Sequence, residues 1–347
     1  MTETVLTLPR WADFRGVVSV LLGGEPIVEE TRGLEGRPAE IRLNACSVGK
    51  QFVAASAMLL VEAGDLDLHA PVGRYLGSIP EAWHRITTHQ LLAHTSGLGH
   101  WDQVPGFDPN DLPTVDEAIA RRAGRPLISE PGATFRYSSL GYAIAARVVE
   151  GVSGIAYPDF AAARILAPLG MSATTVDPMA IAGTNDVVTT VADLGRYARA
   201  FAAGEVLGAE SSELMCAAHT AVGPEDTEFD GTTGYGYGCY VGTFAGRPMH
   251  CHGGDIPGYR SAYVAVPSLD ASIAVLSDGD HNDAVGLAAS LLARIAPTRR
   301  RWELWREDDN ANRYLVSVHD DENSARARLA EFESGVVHKQ SYWVTAV

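Results

Sequence analysis

The stretch Asn44-Ala45-Cys46-Ser47-Val48-Gly49-Lys50-Gln51-Phe52 constrains this chain most, because it sets a serine three residues before a lysine where a helix begins. Residues 53–61 are apolar and rich in alanine and Gly64 follows as a stop, so a helix is predicted. Positions i and i+3 share one helix face, which lets the Lys50 ammonium reach the Ser47 hydroxyl. A serine hydroxyl needs a neighbouring base before it can attack a carbonyl. Lysine serves as that base only if burial or nearby positive charge leaves it neutral part of the time. The helix N-terminus favours both steps: its field opposes a proton on Lys50, and its free N–H groups can hold the oxygen anion formed by attack. Alone, the tetrad is a weak signal, since S-x-x-K arises by chance in many chains.

Length and charge narrow the classes. A chain of 347 residues can bury a large core and holds one big domain, or two plus an appendage. Its formal charge of -16 repels phosphate backbones and anionic lipid, which argues against nucleic acid and membrane surfaces as partners. The cysteines Cys46, Cys216, Cys239 and Cys251 have no paired spacing, residues 1–10 have no apolar export run, and no segment has the roughly 18 apolar residues that span a bilayer. Reduced thiols and a cytoplasmic location are expected.

Residues 14–33 read as a β-hairpin turning at Gly23-Gly24-Glu25-Pro26, and 40–43 as a third short strand. From 66 to 186 helical patterns cut by Pro and Gly prevail, among them a helix over 140–152 stopped by Gly154. A helix over 190–203 then precedes strands at 235–241, 249–252, 261–266 and 272–277, and a helix follows over 284–295. Residues 299–347 read as a separate ββαβ unit, with a turn at 308–312 and a helix over 325–334 burying Leu329 and Phe332. The expected fold class is α+β, a mainly antiparallel sheet flanked by helices. Its domains are 1–65 with 187–298, an inserted helical subdomain 66–186, and the small unit 299–347.

Three pieces of this sequence agree. Ser47-Val48-Gly49-Lys50, Tyr137-Ser138-Ser139 and His252-Gly253-Gly254, in that order and at those separations, resemble the signature elements of the serine β-lactamase and penicillin-binding-protein superfamily, closest to its class C and esterase-like branch. The phrases around Leu91-Leu92-Ala93-His94-Thr95-Ser96-Gly97-Leu98, Pro168-Leu169-Gly170-Met171 and Asp255-Ile256-Pro257-Gly258-Tyr259 match as well, and the resemblance covers roughly residues 15–297.

The resemblance implies a cleft between an α/β and a helical domain, where Ser47 attacks an ester, amide or lactam carbonyl to give an acyl-enzyme. Lys50 and Tyr137 would share the proton. The N–H groups of Ser47 and Asp255 would form the oxyanion hole, and Ser139, His252, Gly253 and Gly254 would contact substrate. A phenol beside an ammonium is expected to have its pKa lowered toward the working range. Ser139 stands where the family usually has asparagine, and His252-Gly253 where β-lactamases have lysine and a hydroxyl residue, which removes most of the grip on a drug's carboxylate.

The expected activity is a serine hydrolase or acyltransferase acting on a small ester or amide, without cofactor. Two other readings stay open: a D-amino-acid-specific peptidase or weak β-lactamase, and a silent scaffold in which the 299–347 unit recruits a partner or a second copy. The run His250-Cys251-His252 is read against metal binding, because strand alternation parts Cys251 from the two histidines and no further ligand pair is spaced for zinc. His94 and Ser96 are read as fixing a loop by local hydrogen bonds, and Cys46 as a small buried residue.

Overall fold

A computed structural model describes residues 9–295, 302–307, 313–319, 322–334 and 341–346. The predicted turn at 308–312 lies outside the described residues, as does the start of the chain before residue 9. The chain divides into two compact units, Met1–Leu292 and Ala293–Val347.

The first unit is built on one antiparallel sheet. Its strands are β1 (Gly16–Leu22), β2 (Glu25–Arg32), β6 (Thr220–Ala221), β7 (Thr232–Tyr235), β8 (Tyr240–Phe244), β9 (Arg247–Ile256), β10 (Tyr259–Val266) and β11 (Ala271–Ser277), in the order β2-β1-β11-β10-β9-β8-β7-β6. The order places the N-terminal hairpin against the last strand, through pairs such as Val18 with Val275, so both ends of the unit close one sheet. All seven residues of β11 are buried. Side chains alternate between the faces of a strand, so this sheet is covered on both sides. The Val191–Ala202 helix, capped by the Thr190 hydroxyl on Asp193 N–H, packs on β1 and β11.

Between the two halves of the sheet runs the predicted helical segment. The Ser139–Ser153 helix dominates it, capped by Ser138 and stopped by Gly154 in the left-handed region at φ 70°. It packs on the Lys50–Glu62 helix, whose residues 50–58 are all buried, the mark of a helix at the centre of a core. Three short strands, β3 (Leu43–Asn44), β4 (Thr175–Val176) and β5 (Val187–Thr189), form a small sheet in the order β3-β5-β4.

Two expectations need correction. The strand expected at 40–43 is only Leu43–Asn44, because it pairs with the two residues Val188 and Thr189. The strand expected at 235–241 is two strands joined by a turn at 236–239. Tyr235, Tyr237, Cys239 and Val241 alternate like a strand, but Gly236 N–H donates to Cys239 O and turns the chain.

The second unit has the expected ββαβ order: β12 (Trp302–Glu307), β13 (Arg313–His319), the Glu322–Ser334 helix and β14 (Ser341–Ala346), with sheet order β13-β12-β14. Among the described residues of this unit Leu304 and Ala325 are fully buried, while Leu329 and Phe332, expected to be buried, are half-buried, and Phe332 stacks on Tyr342. No helix among the described residues is long and apolar enough to cross a membrane.

Candidate active site

Ser47 lies in a short 3-10 turn, Cys46–Gly49, that runs directly into the Lys50–Glu62 helix. The turn is fixed from three directions. The Asn44 side chain accepts from Cys46 N–H at 2.7 Å and donates to Asn185 O at 2.7 Å, Ala45 N–H donates to Val187 O at 2.8 Å, and the Ser261 hydroxyl donates to Ala45 O at 2.6 Å. These bonds hold Cys46 at φ 50°, a conformation a non-glycine residue adopts only when its surroundings impose it, immediately before the candidate nucleophile. Cys46 itself is buried, and the loss of water pushes its thiol up to about 12.

Lys50 has no solvent exposure, whereas Ser47 is half-buried and keeps an open side. Lys50 Nζ lies 3.0 Å from Ser47 Oγ, 3.1 Å from Ser139 Oγ and 2.6 Å from Gly183 O. A neutral amine has two N–H bonds and one lone pair. Two of the contacts can therefore be donated, to Gly183 O and Ser139 Oγ, while the lone pair accepts the Ser47 proton. Burial favours that state and lowers the pKa of Lys50 to about 7, against the opposing pull of the Asp186 and Glu228 carboxylates.

Asp186 supports the carbonyl that Lys50 uses. Its Oδ1 accepts from Gly183 N–H at 2.8 Å, closing the turn that aims Gly183 O at the amine. Its own pKa is raised to about 7 by burial, against hydrogen bonds and the Lys50 charge that favour ionisation.

Tyr137 packs in a nest of rings. Its centroid is 4.2 Å from His94 and 5.2 Å from His100, with Lys50 Nζ 4.9 Å from the ring, and its phenol is in hydrogen-bonding contact with Ser47. The structure reverses one expectation here. Burial raises the phenol well above its usual value, and the nearby Tyr240 and Glu228 add to the rise against the contact with Ser47. Tyr137 keeps its proton in the free site.

Ser138 caps the next helix, its hydroxyl accepting from Gly141 N–H at 2.9 Å, and Ser139, expected to contact substrate, faces Lys50 with Oγ 3.1 Å from Nζ. His94 also does more than fix its own loop. It is fully buried, its Nδ1 accepts from Ser138 N–H at 3.0 Å, and its ring packs against Tyr137 at a tilt of 36°.

Strand β9 borders the turn that carries Ser47. A Cβ on Gly254 would stand 2.3 Å from Ser261 Oγ, 2.6 Å from Cys46 Cβ and 2.9 Å from Ser47 N, so only glycine permits this approach. Strand β8 pairs with β9 only as far as Cys251. Beyond it Gly253 N–H leaves the sheet to meet Glu228 Oε2 at 2.6 Å, and the two-residue alternation sends Asp255 N–H out on the same side.

His252 does not open onto substrate space. It is fully buried, with Nε2 3.0 Å from the Tyr235 hydroxyl and Nδ1 2.5 Å from Gly253 O, and burial lowers its pKa to about 3.

Glu228, Gly254, Asp255, Arg260, Ser261 and Asp283 line a hollow of about 340 Å³ beside this strand. Arg260 is already paired with Asp255 at 3.0 Å and Asp280 at 3.2 Å, so the hollow is net acidic. Glu228 is exposed as a residue, but its carboxyl end turns in against β9, where loss of water raises its pKa. Among the described residues no group of three or more His, Cys, Asp or Glu could hold a metal ion.

Sequence reasoning missed Gly183, Asp186 and Glu228 and gave His94 too small a part. His94 stood in a phrase already matched to the family. Glu228 sits among Glu225, Asp226 and Asp230, and nothing in the sequence singles it out.

A family model described as Beta-lactamase matches residues 9–296, most of the chain. The chain belongs to the beta-lactamase family. Within it, Esterase EstB of Burkholderia gladioli is 34% identical over 181 residues, which are 45% of this chain and 45% of the esterase, so the chain spans less than half of that relative. A D-aminopeptidase of Cereibacter sphaeroides is 25% identical over 361 residues, 91% of this chain and 67% of its own length. Penicillin-binding protein 4 of Amycolatopsis lactamdurans is 28% identical over 275 residues, 67% of this chain and 71% of its own. Among solved structures, D-amino acid amidase from Ochrobactrum anthropi SV3 has a TM-score of 0.72 at 21% identity, covering 85% of this chain and 99% of that one. The likeness confirms the α+β fold of the family.

Proposed function

We propose that the chain is a serine hydrolase or acyltransferase that acts on small esters and amides through an acyl-Ser47 intermediate. The observation that carries this reading is the buried amine of Lys50, 3.0 Å from a half-open serine hydroxyl with its other two contacts satisfied by acceptors. Neutral Lys50 takes the Ser47 proton as Oγ attacks the carbonyl. The N–H groups of Ser47 and Asp255 hold the oxygen anion, and Tyr137, which keeps its proton in the free site, donates to the leaving group and is reprotonated from Lys50. Ser139 and Gly183 O keep the amine aimed, and His252 braces β9 from inside the sheet. Water or an amine then takes the acyl group from Ser47.

The second reading, a peptidase or amidase for D-amino acids, is favoured by the acidic hollow beside Gly254. It suits a substrate with an ammonium near the scissile carbonyl and repels the carboxylate of a β-lactam. Relatives named D-aminopeptidase and D-amino acid amidase support it. The four free thiols fit a reducing compartment, the cytoplasm. We assign the Ala293–Val347 unit to contact with a partner or a second copy.

A fluorophosphonate probe and a p-nitrophenyl ester test the reading. Wild type should be labelled once and hydrolyse the ester, and Ser47→Ala should do neither. Labelling of Ser47→Ala at the wild-type rate would refute it.

A further inference from the structure

A second cluster of reactive groups lies where the 236–239 turn meets the end of the Ala209–Met215 helix. Tyr237 N–H donates to Met215 O at 2.8 Å, Cys239 Sγ lies 3.9 Å from the same oxygen, and a Cβ on Gly236 would fall 2.3 Å from it. This close approach brings Cys216, just past the helix, against Cys239. Cys216 is half-buried and in side-chain hydrogen-bonding contact with both Cys239 and His250. His250 is only 6% exposed and is set by the rings of Phe201 at 5.7 Å and Tyr263 at 6.0 Å. Cys216 and His250 together line an open groove of about 410 Å³ whose other walls include Phe201, Ala202, Val241 and Met249. None of these residues belongs to the Ser47 site.

The electrostatics of the cluster separate its two thiols. The hydrogen bond from Cys239 holds Cys216 well below the ordinary thiol range, and the His250 charge adds to it against burial. The same bond keeps Cys239 protonated. Burial opposes a proton on His250, but the adjacent Cys216 outweighs it and the imidazole's pKa is raised. The cluster therefore sets a thiol of lowered pKa, in the wall of the groove, beside an imidazole of raised pKa and a second thiol.

We propose that Cys216 is a second nucleophile, which reduces apolar organic hydroperoxides in this groove and closes a disulfide with Cys239. The Cys216 thiolate attacks the terminal oxygen of R–O–O–H. The O–O bond breaks, and the alkoxide takes the His250 proton and leaves as an alcohol, with Cys216 as sulfenic acid. Cys239 then passes its proton to His250 and attacks the Cys216 sulfur. The hydroxyl takes that proton from His250 and leaves as water. The peroxide gains the two electrons that the thiol pair loses. The apolar walls select an organic hydroperoxide over hydrogen peroxide.

The test treats the full chain, and Ser47→Ala beside it, with cumene hydroperoxide or hydrogen peroxide and maps the cysteines by mass spectrometry. Loss of two hydrogens should map to a Cys216–Cys239 bridge, equally in both proteins, and at least about tenfold faster with cumene hydroperoxide. Cys239→Ser should instead accumulate a dimedone-trappable sulfenic acid on Cys216. Oxidation of Cys46 or Cys251 as fast as Cys216, or equal rates with the two peroxides, would overturn the proposal. Because the readout is independent of Ser47, either result leaves the acyl-enzyme reading standing or falling on its own test.

Discussion

Lys50 joins three segments of the chain: the Ser47 turn just before it, the Tyr137–Ser139 stretch that opens the next long helix, and Gly183 in the turn closed by Asp186. The Ser47–Lys50 contact was legible in the sequence, because an i,i+3 spacing on a helix fixes it locally. Gly183 and Asp186 were not, since their contact with Lys50 depends on a fold that brings together residues 133 positions apart. Tyr137 was legible as a neighbour of Lys50, but not the direction of its pKa, which is set by how little water reaches the phenol. That direction leads to a prediction. Tyr137→Phe removes the donor but leaves the packing against His94, so kcat should fall about 10²–10⁴-fold with KM little changed. Steady-state kinetics on one amide substrate checks this, and an unchanged kcat would remove Tyr137 from the proton path.

At the scale of elements, the site depends on how closely β9 can approach the turn that carries Ser47. The sequence reading placed β9 correctly but cut it short at 249–252, whereas the strand runs Arg247–Ile256. The missed end, Gly253-Gly254-Asp255-Ile256, has little strand propensity in its first three residues and is held by pairing with Tyr259–Val266. Gly254→Ala should destabilise the fold by about 1–3 kcal/mol through overpacking. Activity should fall further than the folded fraction does, because the new methyl displaces Ser47 N. Thermal melts read beside fluorophosphonate labelling separate the two losses, and normal labelling of a folded Gly254→Ala protein would show that β9 and the turn have more room. The 236–239 turn is a similar junction. Gly238, at φ 77°, has no Cβ to strike Lys50 O, which would lie 2.8 Å away, so this turn backs the helix that carries the amine. The alternating pattern concealed it, since Gly236 and Gly238 fall between aromatic and apolar residues as a strand would require.

For the whole molecule, the formal charge of -16 and the acidic hollow act in one direction on substrate choice. Association of a cationic substrate should be accelerated at low salt and that of an anionic one slowed. The measurement is kcat/KM for an amino-acid amide and for its N-succinyl derivative across an ionic-strength series. The amide's value should fall with salt while the succinyl compound's rises, and parallel slopes would assign the hollow no part in recognition. The broad architecture was readable in advance, because the first strand of the N-terminal hairpin and the last strand of the sheet carry apolar runs that only a sheet covered on both faces can bury. The chain forms two compact units, Met1–Leu292 and Ala293–Val347, and within the first the Ser139–Ser153 and Lys50–Glu62 helices pack on one another.

The most direct test of the proton transfer from Ser47 to a neutral lysine is the pH dependence of acylation. Burial brings Lys50 to about 7, so the rate constant for labelling by a fluorophosphonate should rise with pH through that value and then level. Asp186 favours the protonated amine, so Asp186→Asn should move the rise to lower pH. A rate that is flat across this range, or that rises only near the ordinary lysine value of about 10.4, would contradict the account.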